Sequence, residues 1–326
     1  MNVPSKLAAF GLGLTAMFGA AAAVGHGIGP VIAADSGGNA HEGGHGVQPP
    51  DSPADASAQA VPGGLAATRD GYTLRLAQDR FAAAPGADLR FTIARADGRP
   101  ETDFTPTHDK PLHLIVVSRD MSDFQHVHPR MLDDGSWTVS VDFVDAGAYK
   151  VFADFAPAAQ PGPMTLAADV LVAGDHQPDP LPAVSGTAVV NGYTVTLDGA
   201  LEPGRESRVT LSVSKDGRPV TDLQPYLGAY GHLVTLRAGD LAYLHVHPDG
   251  EPADGRTLPG PDVPFIVEVP SSGTYRLYLD FKHDGVVHTA AFTQTTDPRT
   301  QPLVVEPTPA DERPVPESHD STDHAH

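Results

Sequence analysis

The chain has 326 residues, no cysteine, 33 glycines, 32 prolines and a formal net charge of −20. The negative charge opposes binding to nucleic acid or to an anionic membrane surface, because both would repel the protein. Without cysteine there are no disulfides, iron–sulfur clusters or thiolate sites for zinc or copper, so a transition-metal site has to use His, Asp, Glu or Met.

The N-terminal segment contains an uncharged and mostly apolar run from Leu7 to Val24. Its length lies between that of a signal-peptide core, about 7 to 15 residues, and that of a membrane-spanning helix, about 20 residues. We therefore predict that residues 1–31 form a hydrophobic helix that is a signal peptide or a membrane anchor. The rest of the chain is then extracytoplasmic, either membrane-anchored or secreted. Residues 32–65 are rich in Gly, Pro, Ala, Ser and Asp, which predicts a disordered linker.

The remainder of the chain is an internal duplication. Three segments return later in the sequence: Gly71–Leu74 as Gly192–Val195, Asp97–Pro100 as Asp216–Pro219, and Ala148–Phe155 as Thr274–Phe281. Each copy has about 110 residues, which is the size of one β-sandwich domain rather than of a short solenoid repeat.

Within each copy the residue pattern is typical of short strands. Apolar and polar residues alternate in Tyr72–Leu76, Asp88–Ile93 and Trp137–Phe143. The pattern predicts an all-β protein with two tandem immunoglobulin-like or cupredoxin-like β-sandwich domains, at residues 66–174 and 185–297. A Pro-rich linker, residues 175–184, joins the two domains. A disordered acidic tail that contains histidines follows at residues 298–326.

The first copy contains three histidines that a β-hairpin would bring together. His126 and His128 are two residues apart, so on a strand they point to the same face. If the hairpin turns at Asp120–Met121, His113 lies opposite His128 and all three rings share that face. A register shift of one residue would send His113 to the other face, so the prediction depends on this turn.

The second copy repeats the arrangement with His232, His245 and His247. A turn at Gly239–Asp240 would place His232 opposite His247. Neutral imidazoles suit Zn(II), Cu(II) and Ni(II), and three of them leave a position for a fourth ligand. The sequence therefore predicts one histidine-based metal site in each domain.

Several residues are candidates for the fourth ligand. Asp154 and Asp280 occur at equivalent positions of the two copies, so they are ligands, hydrogen-bond acceptors for an imidazole N–H, or ordinary surface carboxylates. The remaining candidates occur in one copy only: His108 in the first, and His283 and His288 in the second.

The histidine segments also carry a resemblance to known proteins. Lys110–Val117 with Phe124–Pro129, and Gly231–Val234 with Leu244–Pro248, resemble segments of exported actinobacterial proteins, some described as heavy-metal-associated. The duplicated sandwich is similar to YtkA-like and CopC-like envelope domains. The resemblance implies an envelope protein concerned with metal, above all copper, and it matches the six histidines of the two hairpins. The chain has few methionines, unlike Met-rich copper carriers, which favours Cu(II) or Zn(II) over Cu(I).

We therefore predict an extracytoplasmic protein for binding, buffering or delivery of Cu(II) or Zn(II). Its partners would be the divalent ion and, as a second candidate, another envelope protein, with membrane contact through the N-terminal helix only. The alternative is a non-catalytic envelope interaction module whose histidines are structural. A three-histidine metal ion can also activate water in an enzyme. However, the sequence has no Ser-His-Asp order, phosphate loop or acid–base pair, so we predict that the protein is not an enzyme.

Overall fold

The computed structural model of the protein describes residues 62–244 and 246–297. All regular secondary structure in these two ranges is β-strand, in sheets that are antiparallel apart from one parallel strand pair and that form β-sandwiches, which confirms the predicted fold class. None of these residues belongs to a helix long and apolar enough to cross a bilayer. The predicted N-terminal helix, most of the linker that follows it, the C-terminal tail and His245 lie outside the described residues.

The first sandwich is formed by the strands β1 (Thr68–Arg69), β2 (Tyr72–Leu76), β3 (Arg80–Ala82), β4 (Ala84–Ala94), β5 (Phe104–Thr105), β6 (Leu112–Ser118), β7 (Phe124–Val127), β8 (Arg130–Met131), β9 (Trp137–Phe143), β10 (Gly147–Pro157) and β11 (Met164–Ala173). One sheet has the order β1-β2-β4-β9-β8. The other has the order β3-β11-β10-β6-β7, with β5 paired to β10. The predicted strands Tyr72–Leu76 and Trp137–Phe143 are β2 and β9.

The second sandwich is formed by the strands β12 (Thr187–Val190), β13 (Tyr193–Asp198), β14 (Glu206–Lys215), β15 (Arg218–Pro219), β16 (His232–Arg237), β17 (Tyr243–Leu244), β18 (Val246–Pro248), β19 (Asp262–Glu268), β20 (Thr274–His283) and β21 (Val286–Thr295). Its sheets have the orders β12-β13-β14-β19-β18, with β15 paired to β14, and β17-β16-β20-β21. The sheet β17-β16-β20-β21 therefore corresponds to β7-β6-β10-β11 of the first sandwich.

A buried tyrosine near the start of one strand marks the duplication in three dimensions. The Tyr149 hydroxyl donates to the Asp145 carbonyl at 3.2 Å, and the Tyr275 hydroxyl donates to the Ser271 carbonyl at 2.6 Å. A tyrosine that bonds back to the backbone a few residues upstream is a feature of immunoglobulin-like sandwiches. Both copies therefore share this local structure at the equivalent strand.

Strand β6 is buried on both of its faces. Leu114 and Val116 point into the core of the first sandwich, whereas Ile115 and Val117 point to the opposite side and belong to a separate apolar cluster. A strand of this kind needs a second layer to cover its outer face. The second sandwich provides that layer.

An apolar cluster joins the two sandwiches. It consists of Ile115, Val117, Met121, Phe152, Ala167, Val234, Leu236, Leu241, Tyr243 and Tyr278. The Phe124 ring stacks on Tyr278 with centroids 3.9 Å apart, and Phe152 contacts Tyr243 at 5.7 Å. Phe124 and Tyr243 are equivalent positions of the two copies, as are Phe152 and Tyr278. The interface is therefore approximately two-fold symmetric.

The end of the predicted disordered linker is ordered, and the prediction is wrong for residues 62–65. The Gly63 carbonyl accepts a hydrogen bond from the Tyr243 amide at 2.9 Å, and the Gly64 amide donates to the Thr165 carbonyl at 3.2 Å. A side chain at Gly64 would place Cβ 2.5 Å from the Phe152 ring, and its φ of +71° also favours glycine. Small residues here allow the backbone to contact both sandwiches.

Candidate metal centre

The hairpin β6–β7 of the first sandwich has the predicted register. Ile115 pairs with His126 and Leu114 pairs with Val127, and Met121 in the turn has a φ of 64°. The ring of His113 lies 5.0 Å from that of His128 and 5.3 Å from that of His126, as measured between ring centroids. The three rings of the first copy therefore share one face, as the sequence predicts.

Three imidazole nitrogens converge at this face. His113 Nδ1 lies 3.1 Å from His126 Nε2 and 3.3 Å from His128 Nε2, and the candidate ligand atoms are all within 4.8 Å of one another. Two imidazoles on one ion, with bonds of about 2.0 to 2.1 Å and angles of about 90 to 109°, have nitrogens about 2.8 to 3.4 Å apart. The two shortest separations in the cluster therefore fit a coordination polyhedron.

Hydrogen bonds on the far side of two rings assign their tautomers. His113 Nε2 donates to the Thr107 carbonyl at 2.9 Å, and His126 Nδ1 donates to Asp280 Oδ2 at 2.8 Å. The lone pairs of His113 Nδ1 and His126 Nε2 then face each other, and they repel unless a proton or a cation lies between them. This is the arrangement of metal-binding histidines, whose second nitrogen is held by a carbonyl or a carboxylate.

Asp280 belongs to the second sandwich, so the site spans both domains. Its carboxylate and the His126 side chain are each only 4% exposed, and Thr289 Oγ1 donates to its other oxygen at 2.6 Å. In the first sandwich Asp154 occupies the equivalent ladder position, and it accepts a hydrogen bond from Thr165 at 2.9 Å. Of the three roles predicted for the two aspartates, Asp280 has that of an acceptor for an imidazole N–H.

Burial keeps three of the clustered histidines in the neutral form that a metal requires. It lowers the pKa of His113 to about 4, of His128 to about 3 and of His232 to about 3. Desolvation of the charged imidazolium is the largest cause in each case, and neighbouring histidines lower these pKa values further.

These buried histidines predict a loss of stability in acid. In the unfolded chain they take up protons near their ordinary pKa of 6.5, whereas His113 and His232 in the folded protein resist protonation down to a pKa of about 4 and about 3. The free energy of unfolding therefore keeps its full value above pH about 6.5. It falls as the pH drops towards 4, by roughly 1 to 2 kcal/mol per histidine at pH 5. Urea denaturation of the metal-free protein at pH 7.5 and pH 5 measures this effect. An unchanged midpoint would contradict it.

The predicted register of the second copy is wrong beyond Leu244. Leu236 pairs with Tyr243, as expected, but the chain then leaves the hairpin, and His247 pairs with Ile266 in the other sheet of the sandwich. Val246 thereby enters the core of the second sandwich beside β19. If the hairpin had continued as predicted, this edge of β19 would have remained unpaired. His247 is exposed, and it is not opposite His232.

The remaining fourth-ligand candidates divide into two groups. The ring of His108 lies 4.7 Å from His232 and 6.0 Å from His113, next to the cluster. His283 and His288 lie elsewhere, around Tyr193: the Tyr193 hydroxyl is hydrogen-bonded to His283 Nδ1 at 2.7 Å, and the centroid of the His288 ring is 4.5 Å from that of Tyr193. The sequence did not predict that His232 would join the histidines of the first copy.

Comparisons with known proteins show which family the chain belongs to. No curated protein matches the sequence. Among solved structures, the Escherichia coli adhesin FdeC is 13% identical, with a TM-score of 0.23, and the match covers 70% of this chain and 65% of that one. The D0-D1 domain of intimin is 12% identical with a TM-score of 0.20, covering 68% and 97%. Invasin, a bacterial integrin-binding protein, is 14% identical with a TM-score of 0.20, covering 70% and 40%.

The chain therefore spans less than two thirds of FdeC and of invasin, and similarities with TM-scores this low carry no argument about function. The family match is more extensive. A family described as a domain of unknown function (DUF8832) matches residues 67–171 and again residues 188–298, which together are more than half of the chain. The chain belongs to the DUF8832 family and contains two copies of its domain.

Proposed function

We propose that the protein binds one Cu(II) or Zn(II) ion through His113, His126 and His128. The observation that carries this proposal is the convergence of three imidazole nitrogens whose outer partners, the Thr107 carbonyl and the Asp280 carboxylate, leave the lone pairs facing inward. Imidazole ligands in a chain without cysteine and with few methionines favour these ions over Cu(I).

The setting of the site is proposed to be extracytoplasmic, with binding, buffering or delivery of the ion as its role. The apolar run near the N-terminus supports export, and the resemblance to exported and CopC-like proteins points the same way. The burial of the triad between two sandwiches favours a held ion over a loosely associated one.

Thermal unfolding with and without metal tests the proposal. An ion that binds only the folded state at about 100 times its dissociation constant adds about 2.7 kcal/mol, which raises the unfolding midpoint by roughly 5 to 10 °C. We expect Zn(II) or Cu(II) to produce this rise in the wild-type protein and in His247→Ala, but not in His126→Ala. The same rise in His126→Ala would overturn the proposal, as would its absence in the wild type.

Replacing Asp280 should weaken the site without removing a ligand. In Asp280→Asn the His126 ring loses its charged acceptor, so we expect metal affinity to fall about 10- to 100-fold, as when the outer partner of a metal-bound histidine is removed. The matched control is Asp154→Asn, which removes the same charge from the equivalent ladder position. Competition with a chelator of known affinity measures both variants. An equal loss in both would mean that Asp280 acts only as a general buried charge.

A further inference from the structure

His232 is presented to the centre of the cluster in the same way as its counterpart His113. Its Nε2 donates to the Leu227 carbonyl at 3.1 Å, as His113 Nε2 donates to the Thr107 carbonyl at 2.9 Å. In both rings the remaining nitrogen, Nδ1, therefore carries the lone pair. Each histidine also pairs across its sheet with the buried aspartate of its own sandwich. The duplication has thus produced a fourth metal-competent imidazole, supplied by the other domain.

The ring of His232 lies at the border of coordination distance. Two imidazoles bound to one ion have ring centroids about 4.5 to 5.5 Å apart, given metal–nitrogen bonds of about 2.0 to 2.1 Å. The three rings of the triad are 4.9, 5.0 and 5.3 Å apart. The ring of His232 is 5.8 Å from that of His113 and 5.9 Å from that of His126, so an approach of roughly 0.5 Å brings it within coordination distance relative to these two rings.

The space for that approach is present. His113, His126 and His232 line a common cavity of about 20 Å³, which is the size of a single water or ion rather than of an organic ligand. His108 and Asp154 also line this cavity. The ring of His108 is farther from His113 than the ring of His232 is, at 6.0 Å, and the Asp154 carboxylate already accepts a hydrogen bond from Thr165. His108 is therefore the competing candidate, and His232 is better placed.

We propose that His232 is the fourth ligand of the ion held by His113, His126 and His128, so that the ion bridges the two sandwiches. This inference rests on the proposed metal-binding function and adds the identity of the closing ligand. Four protein ligands close a tetrahedral site, whereas three leave an open position of the kind that catalytic sites use. A bridged ion also couples metal binding to the docking of the domains, because the factor by which docking raises the ion's affinity equals the factor by which the bound ion strengthens docking.

Co(II) is a suitable probe, because its visible absorption is more intense in four-coordinate sites than in sites of higher coordination. We expect the wild type to give the intense spectrum and His232→Ala to give a weaker and shifted one, with affinity reduced about tenfold or more. Azide should bind to the Co(II) form of His232→Ala through the vacated position and not to that of the wild type. His232→Asn keeps a donor for the Leu227 carbonyl but lacks the imidazole. It should behave like His232→Ala, which would show that the loss of the ligand, and not a folding defect, causes the change.

The controls separate the possible outcomes. His247→Ala changes an exposed histidine of the same sandwich and should behave like the wild type. If Co(II) binds the wild type but the His232 variants keep its affinity and spectrum, the inference is wrong while the three-histidine site stands. If His108→Ala gives the losses instead, His108 is the fourth ligand. If the wild type binds no Co(II), Zn(II) or Cu(II), the proposed function itself fails.

Discussion

Replacing His113 by alanine is expected to abolish tight metal binding. Its Nδ1 is the atom that lies within 3.3 Å of the ligand nitrogens of both His126 and His128, so its removal leaves the other two rings without their common neighbour. The loss should exceed the roughly 10- to 100-fold that follows from removing an outer partner. Competition with a chromophoric chelator for Zn(II) or Cu(II) measures the affinity.

The control for this prediction is His247→Ala, which removes the counterpart of His128 in the second copy. The structure leaves this histidine exposed on β18. We expect its affinity to stay within about twofold of the wild type. Circular dichroism of His113→Ala separates loss of the ligand from loss of the fold. A folded His113→Ala protein with wild-type affinity would place the metal outside the triad.

Replacing Leu236 by alanine is expected to lower both stability and metal affinity, although Leu236 is not a ligand. The side chain is fully buried in the apolar cluster that joins the sandwiches, so its truncation should cost about 2 to 5 kcal/mol. Because Asp280 reaches His126 only when the domains are docked, part of that cost should appear as weaker metal binding. Urea denaturation and chelator competition on the same variant measure the two effects.

Leu211→Ala is the matched control, since Leu211 is equally buried but lies in the internal core of the second sandwich. We expect a similar loss of stability with an affinity close to that of the wild type. If both variants lose affinity equally, the loss reflects general loosening of the fold. If neither does, the site is independent of domain docking.

The hairpin of the first sandwich could be predicted because its signals are local. A turn at Asp120–Met121 and the two-residue period of a strand determine that His113 faces His126 and His128. The strands Tyr72–Leu76 and Trp137–Phe143 follow from the same alternation. Each of these inferences requires only neighbouring residues and the geometry of one ribbon.

The second hairpin could not be predicted in the same way, because the pairing of His247 depends on a competition between two sheets. Continuing the hairpin and joining β19 both keep the alternation of the strand, and the open edge of β19 is created by residues far away in the sequence. An alternating pattern specifies which face a residue points to. It does not specify which of two neighbouring strands it will pair with.

The contact between His126 and Asp280 spans 154 residues and also lay beyond sequence reasoning. One signal for it was nevertheless present. The run Leu112–Val117 is apolar at both strand faces apart from His113, and such a run indicates a strand covered on both sides. This pattern points to packing between the two copies, and hence to one shared centre rather than two separate ones.

Native mass spectrometry of the wild-type protein, after challenge with a weak chelator that strips loosely held metal, tests the central claim most directly. The domain-spanning centre predicts one retained Zn(II) or Cu(II) ion per chain, and none in His113→Ala. Two equally retained ions per chain would instead support an independent site in each sandwich, and none would show that the clustered histidines do not form a metal centre.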